Sequence, residues 1–158
     1  MTSPTQSVIS NHSTPHRLMK TITIAGRYEN LVQLEDFVRQ VTQDAGLDSF
    51  AIYSVVTAVE EASTNIIEHA YGGEGKGDIQ CSCAVDPSGV TIQLHDQGKP
   101  FHPEKIKNPD TKAPLGKRNS HGLGLFIMRR WMDEVRFEFS PKSGNTLTMV
   151  KYREQPAE

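Results

Sequence analysis

Apolar and polar positions change rhythm along this chain, and each change marks an element. Thr21-Ile22-Thr23-Ile24 alternates, which predicts a strand. Between Tyr28 and Asp44 the apolar residues Leu31, Leu34, Phe37, Val38 and Val41 recur at helical spacing, and Gly46 closes the run. Asp48 is an N-cap candidate for a longer helix reaching to about His69. Two alternating runs, Ile79 to Val85 and Val90 to Asp96, flank the turn residues Asp86-Pro87-Ser88-Gly89 and read as paired strands. Residues 97 to 121 have little periodicity and contain four prolines. A helix is predicted from Leu123 to Asp133, opening at a glycine pair. Val135, Phe137 and Phe139 then alternate before Pro141-Lys142-Ser143-Gly144 turns into a last strand, Thr146 to Tyr152. The order β, α, α, β, β, long loop, α, β, β predicts an α/β (α+β) two-layer sandwich. Its sheet would be mixed but mostly antiparallel, with the helices on one face.

Length and composition narrow the class. At 158 residues the chain matches one domain. Residues 1–17 hold seven Ser or Thr, two Pro and no acid, and read as a disordered arm. The domain is expected over 18–153, followed by a short tail, 154–158. No apolar run approaches the ~18 residues of a membrane span. The net charge of −2 argues against direct nucleic-acid binding as a whole-chain property. Two cysteines make no disulfide framework, and no hydrophobic leader follows the start. A cytoplasmic protein is the expectation. Cys81 and Cys83 lie two apart on one strand face and read as small buried hydrophobes. The six histidines and two cysteines show no zinc spacing, and no P-loop or nucleophile elbow is present.

Candidate chemistry gathers in three places. On a helical projection of residues 52 to 70, Ile52, Val55, Val56, Val59, Ala62, Ser63, Ile66, Ile67 and Ala70 form one face. Ser54, Thr57, Glu61, Thr64, Asn65 and Glu68 form the other. Glu61 and Asn65 stand four apart and therefore side by side, with His69 a further turn on. By itself this is the solvated face of an amphipathic helix. A carboxylate beside a carboxamide also suits a hard cation held with phosphate oxygens, and an activated oxygen nucleophile. Asp96-Gln97-Gly98 ends a strand, where a carboxylate can accept from an amine beside a flat ring. His121-Gly122-Leu123-Gly124-Leu125 opens a helix, where free N–H groups favour phosphate. Between them, residues 99 to 118 carry six Lys or Arg against two acids, so the loop is either a solvated segment or a basic lid over a polyphosphate.

Taken in order, the pieces resemble a known family. Glu61-Ala62-Ser63-Thr64-Asn65-Ile66-Ile67-Glu68-His69-Ala70-Tyr71 resembles the N box of the GHKL ATPases. More narrowly, it resembles that of the bacterial anti-sigma factor serine/threonine kinases, the partner-switching kinases. Asp96-Gln97-Gly98-Lys99-Pro100-Phe101 is similar to their first glycine box, Gly122-Leu123-Gly124-Leu125 to their second, and Gly144-Asn145-Thr146 to their closing strand. The resemblance covers about residues 18 to 153 and implies a Bergerat ATP-binding fold with ATP and Mg²⁺ as cofactors. It implies that Asn65 coordinates Mg²⁺ and that Glu61 is the general base toward a protein hydroxyl. Asp96 would receive the adenine amine, with Thr146 supporting through water. Gly98, Gly122 and Gly124 would bring backbone against nucleotide, with His69 and Leu123 beside it. The implied partners are a STAS-domain anti-anti-sigma protein as substrate, an RNA polymerase sigma factor, and a second copy in a homodimer. The rival is a non-catalytic, nucleotide-responsive binding module, against which Glu61 itself speaks: a pure binder needs no base there.

Overall fold

The computed structural model describes residues 18–105 and 120–154. The expected N-terminal arm, the C-terminal tail beyond Glu154 and most of the basic loop lie outside these residues. Five strands form one sheet: β1 (Leu18–Ala25), β2 (Asp78–Asp86), β3 (Gly89–Asp96), β4 (Glu134–Ser140) and β5 (Gly144–Tyr152). Their order is β1-β2-β3-β5-β4, and every pairing is antiparallel, so the sheet is purer than the mixed one expected. Register puts Ile24 opposite Ile79, Cys81 opposite Leu94, and Leu94 opposite Leu147. This row and its neighbours Cys83, Val90, Ile92 and Met149 are fully or almost fully buried. Because side chains alternate across a strand, Gln80, Ser82, Gln93, His95 and Thr146 fall on the other face, which is polar. Hydrogen bonds such as Gln93 Nε2 to Thr148 Oγ1 (3.2 Å) tie that face together.

Three helices cover the apolar face: α1 (Leu31–Asp44), α2 (Ser49–Asn65) and α3 (Ser120–Trp131). A single 3₁₀ turn, Tyr28–Asn30, replaces the first turn predicted for α1. Asp48 caps α2 as expected, its Oδ1 accepting from the Ala51 N–H at 2.8 Å. Helix α2 packs against both α1 and α3. That double contact buries more of α2 than a one-sided helix would bury. Ser54, assigned above to the polar face, has no exposed surface and donates its hydroxyl to Phe50 O at 2.8 Å. Trp131 ends α3 with its ring 5.5 Å from that of Tyr53, which anchors α3 onto α2. Cys81 and Cys83 are free thiols with no exposed surface. No helix among the described residues is long and apolar enough to cross a membrane.

Candidate active site

The predicted helix to His69 is not uniform. After Asn65 the backbone widens into a π-helical turn over Ile66–Ala70, in which the Tyr71 N–H bonds back to Ile66 O at 2.9 Å. Wide turns of this kind recur at functional sites because they re-aim the residues around them. Here the turn brings Ala70 O within 2.9 Å of the Lys99 N–H, which joins the end of α2 to the loop after β3. Gly98 permits this approach: a Cβ there would lie 2.5 Å from Ala70 O. The missing side chain of Gly98 therefore serves a contact between backbones.

Between the turn, the ends of β3 and β5, β4 and α3 lies a cavity of about 600 Å³ including its open mouth. Ile66, Phe101, Met128, Phe137 and Leu147 give it apolar walls, and Asn65, His69, Asp96 and Asn145 give it polar points. The rings of Phe101 and Phe137 are 4.7 Å apart and tilted by 40°. Asp96 is only 3% exposed. Burial pushes its carboxyl above the ordinary aspartate range, against hydrogen bonds from Asn145 and Gly98 and the nearby His95. Both of those bonds, from the Gly98 N–H and from Asn145 Nδ2, arrive at Oδ1 at 2.9 Å.

Thr146 borders the cavity, and its hydroxyl lies 3.1 Å from His95 Nδ1 on the polar face of the sheet. The neighbour that meets Asp96 is Asn145, which sequence reasoning passed over. The signal was available in strand parity: Asn145 shares its side of β5 with the core residues Leu147 and Met149.

Asn65 lines the cavity, and its buried amide nitrogen has no hydrogen-bond partner among the described residues. An amide not committed to the fold is available to a ligand. Among the described residues no group of three or more His, Cys, Asp or Glu could cage a metal. Of the Asn65 amide only Oδ1 can meet a cation, which phosphate oxygens would then share, the arrangement Mg²⁺ favours. Glu61 stands one turn before Asn65, outside the cavity lining. A Cβ on Gly124 would sit 2.9 Å from Glu61 Oε2 and 3.4 Å from Asn65 Nδ2, so this glycine lets α3 close onto both. Burial, then the charges of Glu60 and Glu68, push the Glu61 carboxyl up. His69 is partly exposed and 3.8 Å from Glu68. Leu123 and Gly122 both lie in the first turns of α3, as predicted, but the surroundings of Gly122 fall outside the described residues. So does most of the basic loop.

Tyr71 is a further residue of the site. Its hydroxyl donates to Asp78 O at 2.6 Å and accepts the Gln97 N–H at 2.9 Å, bracing the turn that carries Asp96. Its ring lies where a Cβ on Gly77 would stand, 2.3 Å from Cε1. Tyr71→Phe keeps that packing and loses the two bonds. We expect a cost of about 1–3 kcal/mol for the two bonds together, read as a melting midpoint lowered by about 2–12 °C. An unchanged midpoint would remove the bracing role.

Residues 24–151 match the family described as the histidine kinase-like ATPase domain, and the chain belongs to that family. Its relatives narrow the branch. It is 30% identical over 116 residues to the serine-protein kinase RsbW of Oceanobacillus iheyensis, covering 71% of this chain and 72% of that one. It is 34% identical over 139 residues to the anti-sigma F factor of Caldanaerobacter subterraneus subsp. tengcongensis, covering 79% and 95%. The fold is similar to the crystal structure of the RsbU and RsbW domains of a Mycobacterium tuberculosis protein, with a TM-score of 0.64 at 20% identity over 89% of this chain. The chain spans 34% of that longer structure. The resemblance drawn from the three boxes agrees with all three.

Proposed function

We propose that the chain is an ATP-dependent protein serine/threonine kinase and anti-sigma regulatory factor. The observation that carries this reading is the buried Asp96 in an apolar slot, with the uncommitted Asn65 amide and then Glu61 following along α2. Apolar walls take a flat base, and Asp96 accepts its exocyclic amine. The phosphates run from there toward Asn65 and the start of α3, whose N–H groups and dipole favour negative charge. Mg²⁺, when bound, supplies charge neutralisation on the phosphates. Glu61 accepts the proton of a serine or threonine hydroxyl while its oxygen bonds to the γ-phosphorus. The bond from that phosphorus to the bridging oxygen breaks, and ADP leaves. Positioning and charge neutralisation do most of the work in such transfers. A raised carboxyl such as that of Glu61 is a better proton acceptor than an ordinary one.

The names of the relatives, serine-protein kinase and anti-sigma factor, support the same reading. The substrate is a STAS-domain anti-anti-sigma protein, and the second partner is an RNA polymerase sigma factor, which makes the protein cytoplasmic. Two copies form a homodimer. The test is transfer of label from γ-labelled ATP to the STAS protein encoded nearest to this chain, with the sigma factor as competitor. Label on a serine or threonine supports the kinase. Binding of nucleotide and partner with no transfer replaces it with the non-catalytic binding module.

A further inference from the structure

We propose that Asn145 is the positioning residue that sets nucleobase specificity, by fixing Asp96 so that the outer oxygen of its carboxylate faces the base as an acceptor. This rests on the reading of Asp96 as the partner of the base. The Asn145 amide has a forced orientation. Its Oδ1 accepts the Phe101 N–H at 3.2 Å. Its Nδ2 donates to Lys99 O at 2.8 Å and to Asp96 Oδ1 at 2.9 Å. Turning the amide over would set its oxygen against Lys99 O and a carboxylate, and its NH₂ against the Phe101 N–H. The donor or acceptor character of those backbone groups cannot change. Asn145 is itself only 7% exposed, so water does not easily substitute.

The consequence falls on Asp96. Its Oδ1 faces two donors, Asn145 Nδ2 and the Gly98 N–H, and so cannot carry a proton. Every hydrogen bond described for Asp96 ends on that oxygen, which leaves Oδ2 for a ligand in the cavity. Adenine offers an amino donor at this edge, whereas guanine offers a carbonyl acceptor. A fixed acceptor takes the first and repels the second. Asn145 also helps keep the buried carboxyl ionised, since its bond is the largest influence opposing burial. The same amide latches Phe101, a wall of the slot, onto β5. Other titratable groups around Asp96 are His95 beside it on β3, Tyr71 from the end of the π turn, His69, Lys99 and Glu138.

The experiment is calorimetric binding of ATP and of GTP to the whole chain without protein partners, from pH 6 to 8.5, with thermal melts alongside. Asn145→Leu fills similar space without donors. We expect its ATP-over-GTP preference to fall at least tenfold. Its loss of ATP binding on acidification should also begin at higher pH than in wild type, because Asp96 then protonates more readily. Asn145→Asp keeps the shape and the acceptor for Phe101, but sets a second carboxylate against Asp96. One shared proton can restore the missing donor, and raising the pH removes it. Relative to wild type in the same buffers, its ATP affinity should therefore fall at least tenfold from pH 6 to 8.5. A merely structural role would produce no such reversal. Should Asn145→Leu fail to fold, the near-isosteric Asn145→Asp carries the test. A folded Leu variant with the wild-type base preference, or an Asp variant with the wild-type pH profile, overturns the proposal. Equal wild-type affinity for ATP and GTP overturns it too, while leaving nucleotide binding intact. A wild type that binds neither nucleotide overturns the reading of Asp96 beneath it.

Discussion

Glu61→Gln is expected to lower phosphoryl transfer by about 10²–10⁴-fold, the scale of a lost general base. The lower end is favoured because phosphoryl transfer leans on positioning more than on proton removal. ATP affinity should stay within about twofold of wild type, since Glu61 does not line the cavity and an amide of the same shape keeps the packing against Gly124. Single-turnover transfer from γ-labelled ATP, beside calorimetry of ATP binding, separates the two quantities. The pH profile gives an independent reading. The Glu61 carboxyl is raised by burial and then by Glu60 and Glu68, so it protonates at a higher pH than an ordinary glutamate. The transfer rate should fall on acidification through that raised value, because only the ionised form accepts a proton. Glu60→Gln removes one repelling charge and should move this acid limb to lower pH. Wild-type transfer by Glu61→Gln would leave an enzyme whose base lies elsewhere, with Glu60 the first place to look.

The parts of this site that were legible in the sequence are those set by short-range pattern. Helical spacing alone places Glu61 beside Asn65, and alternation alone ends β3 at Asp96. The Asp48 cap and the turn at Asp86 follow from side chains that bond their own neighbouring backbone, as Asp86 Oδ1 does with the Ser88 N–H at 2.8 Å. What was not legible depends on long-range contact. Ile66 to Ala70 has ordinary helical composition, and its π turn comes with the pairing of Ala70 O and the Lys99 N–H, 29 residues on. Ser54 looks solvated until α2 is known to be flanked on both sides. Gly98 reads as a nucleotide glycine, yet its missing side chain makes room for Ala70. The family resemblance implies Thr146, while the parity of Leu147 and Met149 assigns Asn145 to the inner face.

The same geometry makes Asp96→Asn a sharper change than the loss of one charge. The Gly98 N–H and Asn145 Nδ2 both aim at the position of Oδ1. The new amide must therefore place its oxygen there, and its NH₂ takes the place of Oδ2. That NH₂ meets the amino group of adenine, donor against donor. Losing a charge-assisted hydrogen bond in a buried site costs about 1.5–3 kcal/mol, or roughly 10- to 150-fold in ATP affinity at 1.4 kcal/mol per tenfold. The opposed donors push the result toward the larger figure. GTP should gain, because the same NH₂ can donate to the guanine carbonyl. The fold should not suffer: both inner hydrogen bonds persist, and a buried charge whose carboxyl is raised by desolvation is replaced by a neutral group. The melting midpoint is thus expected to hold or rise while ATP affinity drops and the ATP-to-GTP ratio shrinks, all measurable on one preparation by calorimetry and thermal melting. ATP affinity within twofold of wild type would mean that the base is read by some group other than Asp96.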